Sequence, residues 1–522
     1  MPIRSYTAIL DLVTRAPEFT NFREIFKHEP LLKFVYHEKC RFPGPICEDR
    51  VVTLPSSEIT KGYRTDISMP DDEYYPGNFN TFDLKAIWLP LEEGRLFSVA
   101  RDTSECPLIK NLGGKDHVLF LIHPKSETLY ADLLKKHEKT VFKISAISLS
   151  SFRSLLIAIP KDAGSFEPAM VKVSLDESIG GVRRLLSSRE CALSVANTEI
   201  LQRRLARHPD LPLNIFNDPL SYVPEGYDYG ILYRELPLCL NPKYGKRDES
   251  YIIPLLSLFS LKNRDLLQNL VKRNAVNVTD FLMRCILMPF TRIFIDLLIN
   301  EETSIEAHGQ NLLLQLDRDD HVIGLVYRDM GGVNQLISMD ELMTLPENLR
   351  DPAIYYFQNH EIDAAKALED HFVRRGLYPL TKQLIKCRAF EADDSNLRQW
   401  RLWYESNKFL ENWTKDDLDS DEHQTILPIN NFLRYGYVEN LFFQCFMTHL
   451  RDRALVDPVV LEDMASQFTD SEQLPDTTIV PPCSIYEFFS TNIQRLFKLK
   501  KEKIHAYEYL DTHKNETIIK SF

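Results

Sequence analysis

Six polar residues bracket one short hairpin in this chain. Glu306, His308, Gln310 and Asn311 lead into the apolar run Leu312–Leu316, while Arg328 and Asp329 follow the apolar run Val322–Tyr327. Between the runs, Asp317-Arg318-Asp319-Asp320-His321 is a polar turn of hairpin length. Antiparallel pairing sets the entrance of one strand beside the exit of the next, so both groups fall on one edge. Carboxylates with an amide suit a Mg²⁺ ion bridging phosphates; an imidazole and a guanidinium suit an anionic substrate or developing negative charge. The pair Gly331-Gly332 adds a permissive backbone. Spacing alone leaves a second interpretation open, a polar turn whose groups cap strand ends and one another.

A second cluster has a similar character. Ser151-Phe152-Arg153 follows one strand-like run, Lys172 lies in another, and Arg183-Arg184 comes soon after. A hydroxyl and several cations on adjacent strands can hold a triphosphate, the lysine as a point charge and the arginines as forks. Solvated surface cations are the alternative. The chain has no GxxxxGK[ST] or GxGxxG loop, so any nucleotide site must be built from side chains. It also lacks GxSxG, HExxH and paired CxxC motifs, which removes the usual hydrolase and zinc readings. Glu306, His308 and Asp329 could instead ligate a divalent metal in an enzyme of another type. His123-Pro124, directly after an apolar run, sets an imidazole either at a site or against the backbone.

These residues need elements to position them. Strands are predicted at Val118–Ile122, Val141–Ile147, Leu155–Ile159, Met170–Leu175 and Tyr229–Tyr233, making the middle third a sheet domain. After Pro254 the apolar residues recur at helical spacing in Leu266–Val271, Ala364–Phe372 and Phe442–Leu450. That pattern predicts an α-rich domain with the hairpin as its exception. Phe281–Asn300 is the most apolar stretch, but Arg284, Pro289, Arg292 and Asp296 mark it as a buried, proline-broken helical region and not a membrane span. Upstream, Phe42-Pro43-Gly44-Pro45 and Tyr75-Pro76-Gly77-Asn78 predict turns and no long helix before about residue 110.

Composition bounds the function classes. With 522 residues the chain holds more than one folding unit, and 44% apolar and 26% charged residues are ordinary for a globular protein. Sixty-two basic against 75 acidic residues leave a net charge of −13, which opposes a nucleic-acid surface. The basic run Arg495–Lys503 reads as a solvated helix face. Asp417, Asp419 and Asp421 imitate a calcium loop, yet Glu422 and Pro428 occupy the positions that need Gly and Glu. Nine scattered cysteines fit a reducing cytoplasm. Met1–Phe22 carries Arg4, Asp11, Arg15 and Glu18 and reads as no signal peptide.

Taken in order, several blocks resemble the NRPS-independent siderophore (NIS) synthetases. They are His123-Pro124, Ser151-x-Arg153-Ser154, Val171-Lys172-Val173-Ser174-Leu175 with Arg184, Arg234-Glu235-x-Pro237, Glu306-Ala307-His308-Gly309-Gln310-Asn311, and Arg328-Asp329-x-x-Gly332. The resemblance implies an α+β, cupped-hand architecture: a shortened N-terminal thumb with the start of the fingers in residues 1–112, β-rich ATP-binding fingers in 113–238, and an α-rich palm in 239–522 containing the 306–332 site hairpin. It implies that Ser151, Arg153, Lys172, Arg184, Gln310, Asn311 and Arg328 bind ATP, and that Glu306 and Asp329 serve Mg²⁺. His308, Lys172 and Arg184 would be catalytic.

The implied reaction adenylates citrate or a similar polycarboxylate, then condenses it with an amine, hydroxylamine or hydroxyl. The resemblance admits a homodimer and involves neither nucleic acid nor membrane. The chain departs from the family at Gly180, where threonine is common, and at His37-Glu38-Lys39-Cys40-Arg41-Phe42, which keeps little of an upstream His-Pro motif. A degenerate relative that binds nucleotide, siderophore or a partner synthetase without ligating is the other reading these departures leave open.

Overall fold

The computed structural model describes residues 28–39, 73–76, 80–99, 106–161, 165–179, 182–241, 250–259, 264–275, 278–335 and 337–359. In chain order the first elements are α1 (Glu29–Lys39), β1 (Phe82–Pro90), β2 (Gly94–Ser98), β3 (Ile109–Leu112), β4 (Lys115–Ile122) and α2 (Ala131–Lys136). Then come β5 (Phe142–Ser151), β6 (Ser154–Pro160), β7 (Phe166–Val173), β8 (Ser178–Ile179), β9 (Val182–Arg183) and α3 (Ser188–Ala206). Next are β10 (Leu213–Ile215), β11 (Leu220–Pro224), β12 (Ile231–Arg234), β13 (Tyr251–Pro254), α4 (Arg264–Asn274), α5 (Val278–Phe281) and α6 (Met288–Glu301). The last described are β14 (Thr303–Ile305), β15 (Leu312–Leu316), β16 (Val322–Tyr327), β17 (Val333–Gln335), α7 (Met339–Thr344) and α8 (Glu347–Asn359).

Nine strands form one sheet in the order β2-β11-β12-β7-β6-β5-β1-β4-β3. Its centre is buried on both faces because apolar residues occupy successive positions, and strand side chains alternate between faces. Leu155, Ile157 and Ile159 of β6 join Ala169, Val171 and Val173 of β7 in one core. Their neighbours Leu156, Ala158 and Met170 face the opposite way, into a core shared with Leu31 and Phe34 of α1, Ile252 of β13, Leu313 of β15 and Val326 of β16. That second core fixes the hairpin against the large sheet. The hairpin belongs to a four-stranded sheet, β10-β16-β15-β13, in which β10 from the middle third runs parallel to β16.

The predicted hairpin strands are the observed ones, with Leu312 opposite Tyr327. The helical region around Phe281–Asn300 is α5, a π-helical turn at Leu282–Leu287, and α6, with Pro289 just after the π-helical turn. Three expectations need correction. The middle third contains α3, a 19-residue helix opened by a capping box between Ser187 and Glu190. Beyond Pro254 the described residues add β14 and β17 to the hairpin. The segment before residue 110 supplies α1, buried at residues 31, 32 and 34–38, and the strands β1 and β2 of the nine-stranded sheet. Ala364–Phe372, the Asp417–Pro428 stretch, Phe442–Leu450 and Arg495–Lys503 lie outside the described residues. Among the described residues no helix is long and apolar enough to cross a membrane.

Candidate functional site

The sheet wall of the site is built where β5 turns into β6 and where β7 runs beside it. Ser151 Oγ accepts from the Ser154 backbone N at 3.2 Å and donates to Ser154 Oγ at 2.9 Å, which tightens the turn. Ser154 stands opposite Lys172, so the turn and the lysine are register neighbours. Arg153, at the tip, donates from Nη1 to the carbonyls of Arg184 and Leu185 at 3.2 and 3.1 Å. Arg184 is thereby carried to the same wall. Burial lowers the Arg153 pKa from its ordinary value, with Glu190 and Asp329 opposing that drop.

The hairpin wall meets this one at Asp329. Lys172 Nζ donates to Asp329 Oδ1 at 3.0 Å, and Arg234 Nη2 of β12 lies 3.6 Å from the same oxygen. Arg234 is itself forked onto Asp218, Nε to Oδ1 at 2.7 Å and Nη2 to Oδ2 at 3.0 Å, with both side chains buried. Burial alone would raise the Asp329 pKa, but Lys172, Arg234 and Arg153 outweigh it and hold the carboxyl well below its ordinary range. Asp329 is therefore an anion at neutral pH. Its φ of 79° and ψ of 72° fall in the left-handed region, tolerated by Asp better than by most residues.

Glu306, His308, Gln310 and Asn311 come to this edge through one compact turn. His308 O accepts from the backbone N–H groups of Asn311 and Leu312, both at 2.9 Å. His308 Nδ1 accepts from the Gln310 N–H at 3.2 Å, which makes Nε2 the N–H end of the imidazole. Asn311 Nδ2 donates to Glu306 O at 3.3 Å. Gly332 makes room for Glu306, since a Cβ there would lie 2.9 Å from Glu306 Oε2, whereas one on Gly331 would lie at an ordinary 3.8 Å from Asp329 Oδ1. Tyr327, wholly buried, donates its OH to Asp329 O at 3.2 Å. Burial, with the Glu306 and Asp329 charges, pushes its pKa far up and keeps it a neutral phenol.

Glu306 and Asp329 both stand beside the Gly331-Gly332 pair, and carboxylate oxygens are the donors Mg²⁺ takes, although Asp329 Oδ1 already accepts from Lys172. No group of three or more His, Cys, Asp or Glu side chains among the described residues is arranged to hold a metal, so a three-ligand site from Glu306, His308 and Asp329 does not form.

Arg328 is placed differently from the expectation that it contacts nucleotide. It is 3% exposed and spends its fork inside the protein, on Glu38 Oε1 at 2.8 Å, Ser150 Oγ at 3.0 Å and Gln310 O at 2.9 Å. A guanidinium engaged on three sides is structural. His123 is likewise internal: it caps a short 3₁₀ turn, with Nδ1 accepting from Lys125 N at 3.1 Å, and packs edge-on against Tyr74 and Phe82. Gly180 and Cys40–Phe42 lie outside the described residues. Sequence reasoning did not assign Arg234, Asp218, Ser150 or Glu38. Arg234 had a signal in the Arg234-Glu235-x-Pro237 block and Glu38 a faint one in the His37–Phe42 block; Asp218 and Ser150 had none.

No family model matches this chain, and no curated protein matches it. Solved structures with a similar fold include aerobactin synthetase IucC from a hypervirulent pathotype of Klebsiella pneumoniae, at 16% identity and a TM-score of 0.45 over 66% of this chain and 66% of that one. ATP-bound aerobactin synthetase IucA from a hypervirulent pathotype of the same species gives 16% and 0.46 over 68% and 66%. The petrobactin biosynthesis protein AsbB from Bacillus anthracis str. Sterne gives 13% and 0.48 over 80% and 70%. These are NIS synthetases, the family the motifs resemble. The matched part falls just short of two thirds of either aerobactin synthetase.

Proposed function

We propose that this chain is an ATP-dependent ligase of the siderophore-synthetase type, which adenylates a polycarboxylate and passes the acyl group to an amine, hydroxylamine or hydroxyl. The observation that carries the proposal is the 3.0 Å contact between Lys172 and Asp329, because it brings the two sequence clusters into one site. In this reading ATP is a substrate. A substrate carboxylate oxygen attacks its α-phosphorus, pyrophosphate leaves, and the nucleophile then displaces AMP.

The residues have distinct tasks. Lys172, Arg184 and Arg153 supply the positive charge that opposes the polyphosphate's repulsion of an incoming carboxylate. Ser151 and the 308–311 turn hold the two reactants in register, which removes much of the entropic barrier. His308 presents its Nε2–H as a donor to an anionic oxygen. Glu306 and Asp329 would hold Mg²⁺, whose contribution is charge neutralisation at the phosphates. No protein nucleophile is needed.

The test is an adenylation assay with Mg-ATP across citrate, α-ketoglutarate and succinyl compounds. The expected result is release of pyrophosphate and AMP, with a hydroxamate formed when hydroxylamine traps the acyl-adenylate. ADP as the product, or no turnover with any carboxylate, would overturn the ligase reading.

One observation favours a second reading, a nucleotide- or siderophore-binding relative without ligase activity. Lys172 and Asp329 neutralise each other, and Arg153 Nη1 is committed to backbone carbonyls. Saturable ATP binding with no trapped hydroxamate would select it.

A further inference from the structure

Glu38 stands last but one in α1, wholly buried, at the junction of the large sheet, the four-stranded sheet and the candidate site. Both of its carboxylate oxygens are engaged: Oε2 accepts from the Ser150 backbone N at 3.0 Å, and Oε1 from Arg328 Nη1 at 2.8 Å. Each partner belongs to a different wall. Ser150 directly precedes Ser151, so it fixes where the Ser151–Arg153 turn leaves β5. Arg328 holds the other wall twice over, because its Nε donates to Gln310 O at 2.9 Å and its backbone N to Asn311 O at 3.0 Å. Ser150 Oγ closes the ring, accepting from Arg328 Nη2 at 3.0 Å and from Gln310 Nε2 at 3.1 Å.

From this ring we infer that Glu38 is a positioning residue, which sets the spacing between the Ser151–Arg153 turn and the His308–Asn311 turn through Arg328 and Ser150. The inference rests on the ligase reading for its kinetic consequence, but not for its geometry. A carboxylate is needed at position 38 because the ring presents it with a guanidinium and a backbone donor, and only a group that accepts at both ends serves both walls. Burial sharpens the demand. An amide at the same place turns one end into a donor and leaves that end facing another donor. The anchorage of α1 by Leu31, Phe34 and Val35 in the core shared with Ile147, Leu149, Leu313 and Val326 keeps Glu38 from following either wall if the other shifts.

The experiment compares wild type, Glu38→Gln and Glu38→Asp as full chains. Glu38→Gln preserves volume and Glu38→Asp preserves charge, and the fold of each is checked by circular dichroism and thermal melting. Hydrogen exchange followed by mass spectrometry is read in the protein alone. The expected result for Glu38→Gln is exchange faster by about tenfold or more in peptides covering residues 150–153 and 308–312, with β6 and β7 unchanged. In the adenylation assay kcat should fall by about tenfold to a hundredfold, since small misplacement of reacting groups has that effect. The KM for ATP should move less than kcat.

Unchanged exchange in both turns would overturn the inference. So would a uniform rise across β6, β7 and the turns, which would reduce Glu38 to general support. If wild type turns over no carboxylate, the ligase reading fails while the exchange result still decides the role of Glu38.

Discussion

Lys172 on β7 and Asp329 after β16 are 157 positions apart in sequence and meet at 3.0 Å. Each is a register-fixed residue: Lys172 lies between Ser154 of β6 and Leu232 of β12, and Asp329 follows the strand whose Tyr327 pairs with Leu312. The edges of two different sheets therefore converge on one ion pair. Lys172→Ala and His308→Ala should each lower the adenylation rate by about tenfold to a thousandfold, because each removes a contact to charge that develops in the transition state. Circular dichroism should be unchanged. Wild-type rates in both variants would remove these residues from the site.

The Arg234–Asp218 pair gives a prediction about stability. Both side chains are almost fully buried, and the bidentate geometry satisfies the fork. Asp218→Ala leaves a buried guanidinium whose remaining nearby carboxylate is Asp329 at 3.6 Å. Removing one partner of a buried pair costs about 3–5 kcal/mol. Urea unfolding should show a loss of that order; a loss under about 1 kcal/mol would mean that water or Asp329 takes over the charge.

The hairpin was legible because its information is local: two apolar runs, a five-residue polar turn, and polar residues at both outer ends. The blocks around Ser151, Lys172 and Arg234 were legible for the same reason, as short runs on strands. α3 went unread, although Ser187 and Glu190 form a capping box just ahead of Cys191, Ala192 and Val195, which all pack inward. The partners of Arg328 could not be read that way. Glu38 lies 290 positions from Arg328, and nothing around it distinguishes a buried anion from a solvated one. Arg328 had been expected at nucleotide because its neighbours in sequence are site residues; the core contributed by α1 turns it inward.

His37 makes stability depend on pH. It is fully buried, edge-on to Tyr36, and burial with some help from Lys33 lowers its pKa from 6.5 to about 3. The unfolded chain takes up a proton near pH 6.5, and the folded chain does not until about pH 3, so acid favours unfolding. The stabilising contribution is complete above pH 6.5 and is lost as pH falls toward 3, an effect on the order of 5 kcal/mol. Asp329 has the same sign but acts only below about pH 4, the ordinary aspartate range. Urea midpoints should therefore fall between pH 6.5 and 4, and His37→Phe should flatten that interval. An equally steep fall in His37→Phe would place the titration elsewhere.

The adjacent glycines give a matched pair of variants that tests the carboxylate edge. An alanine Cβ at Gly332 would sit 2.9 Å from Glu306 Oε2, 3.1 Å from its Cδ and 3.2 Å from its Cβ, so the whole side chain must move. At Gly331 the nearest atoms would be Ser194 Oγ at 3.4 Å and Asp329 Oδ1 at 3.8 Å, ordinary contact distances. Since Glu306 is proposed to share Mg²⁺ with Asp329, Gly332→Ala should raise the Mg²⁺ concentration for half-maximal adenylation by about tenfold or more, an effect of the size found when ligand-supporting groups are displaced. Gly331→Ala should stay within about threefold of wild type, because alanine fits there without moving a carboxylate. Magnesium titrations of initial pyrophosphate release read both effects directly. Equal responses in the two variants would separate Glu306 from the metal and leave Asp329 as its only protein carboxylate in this turn.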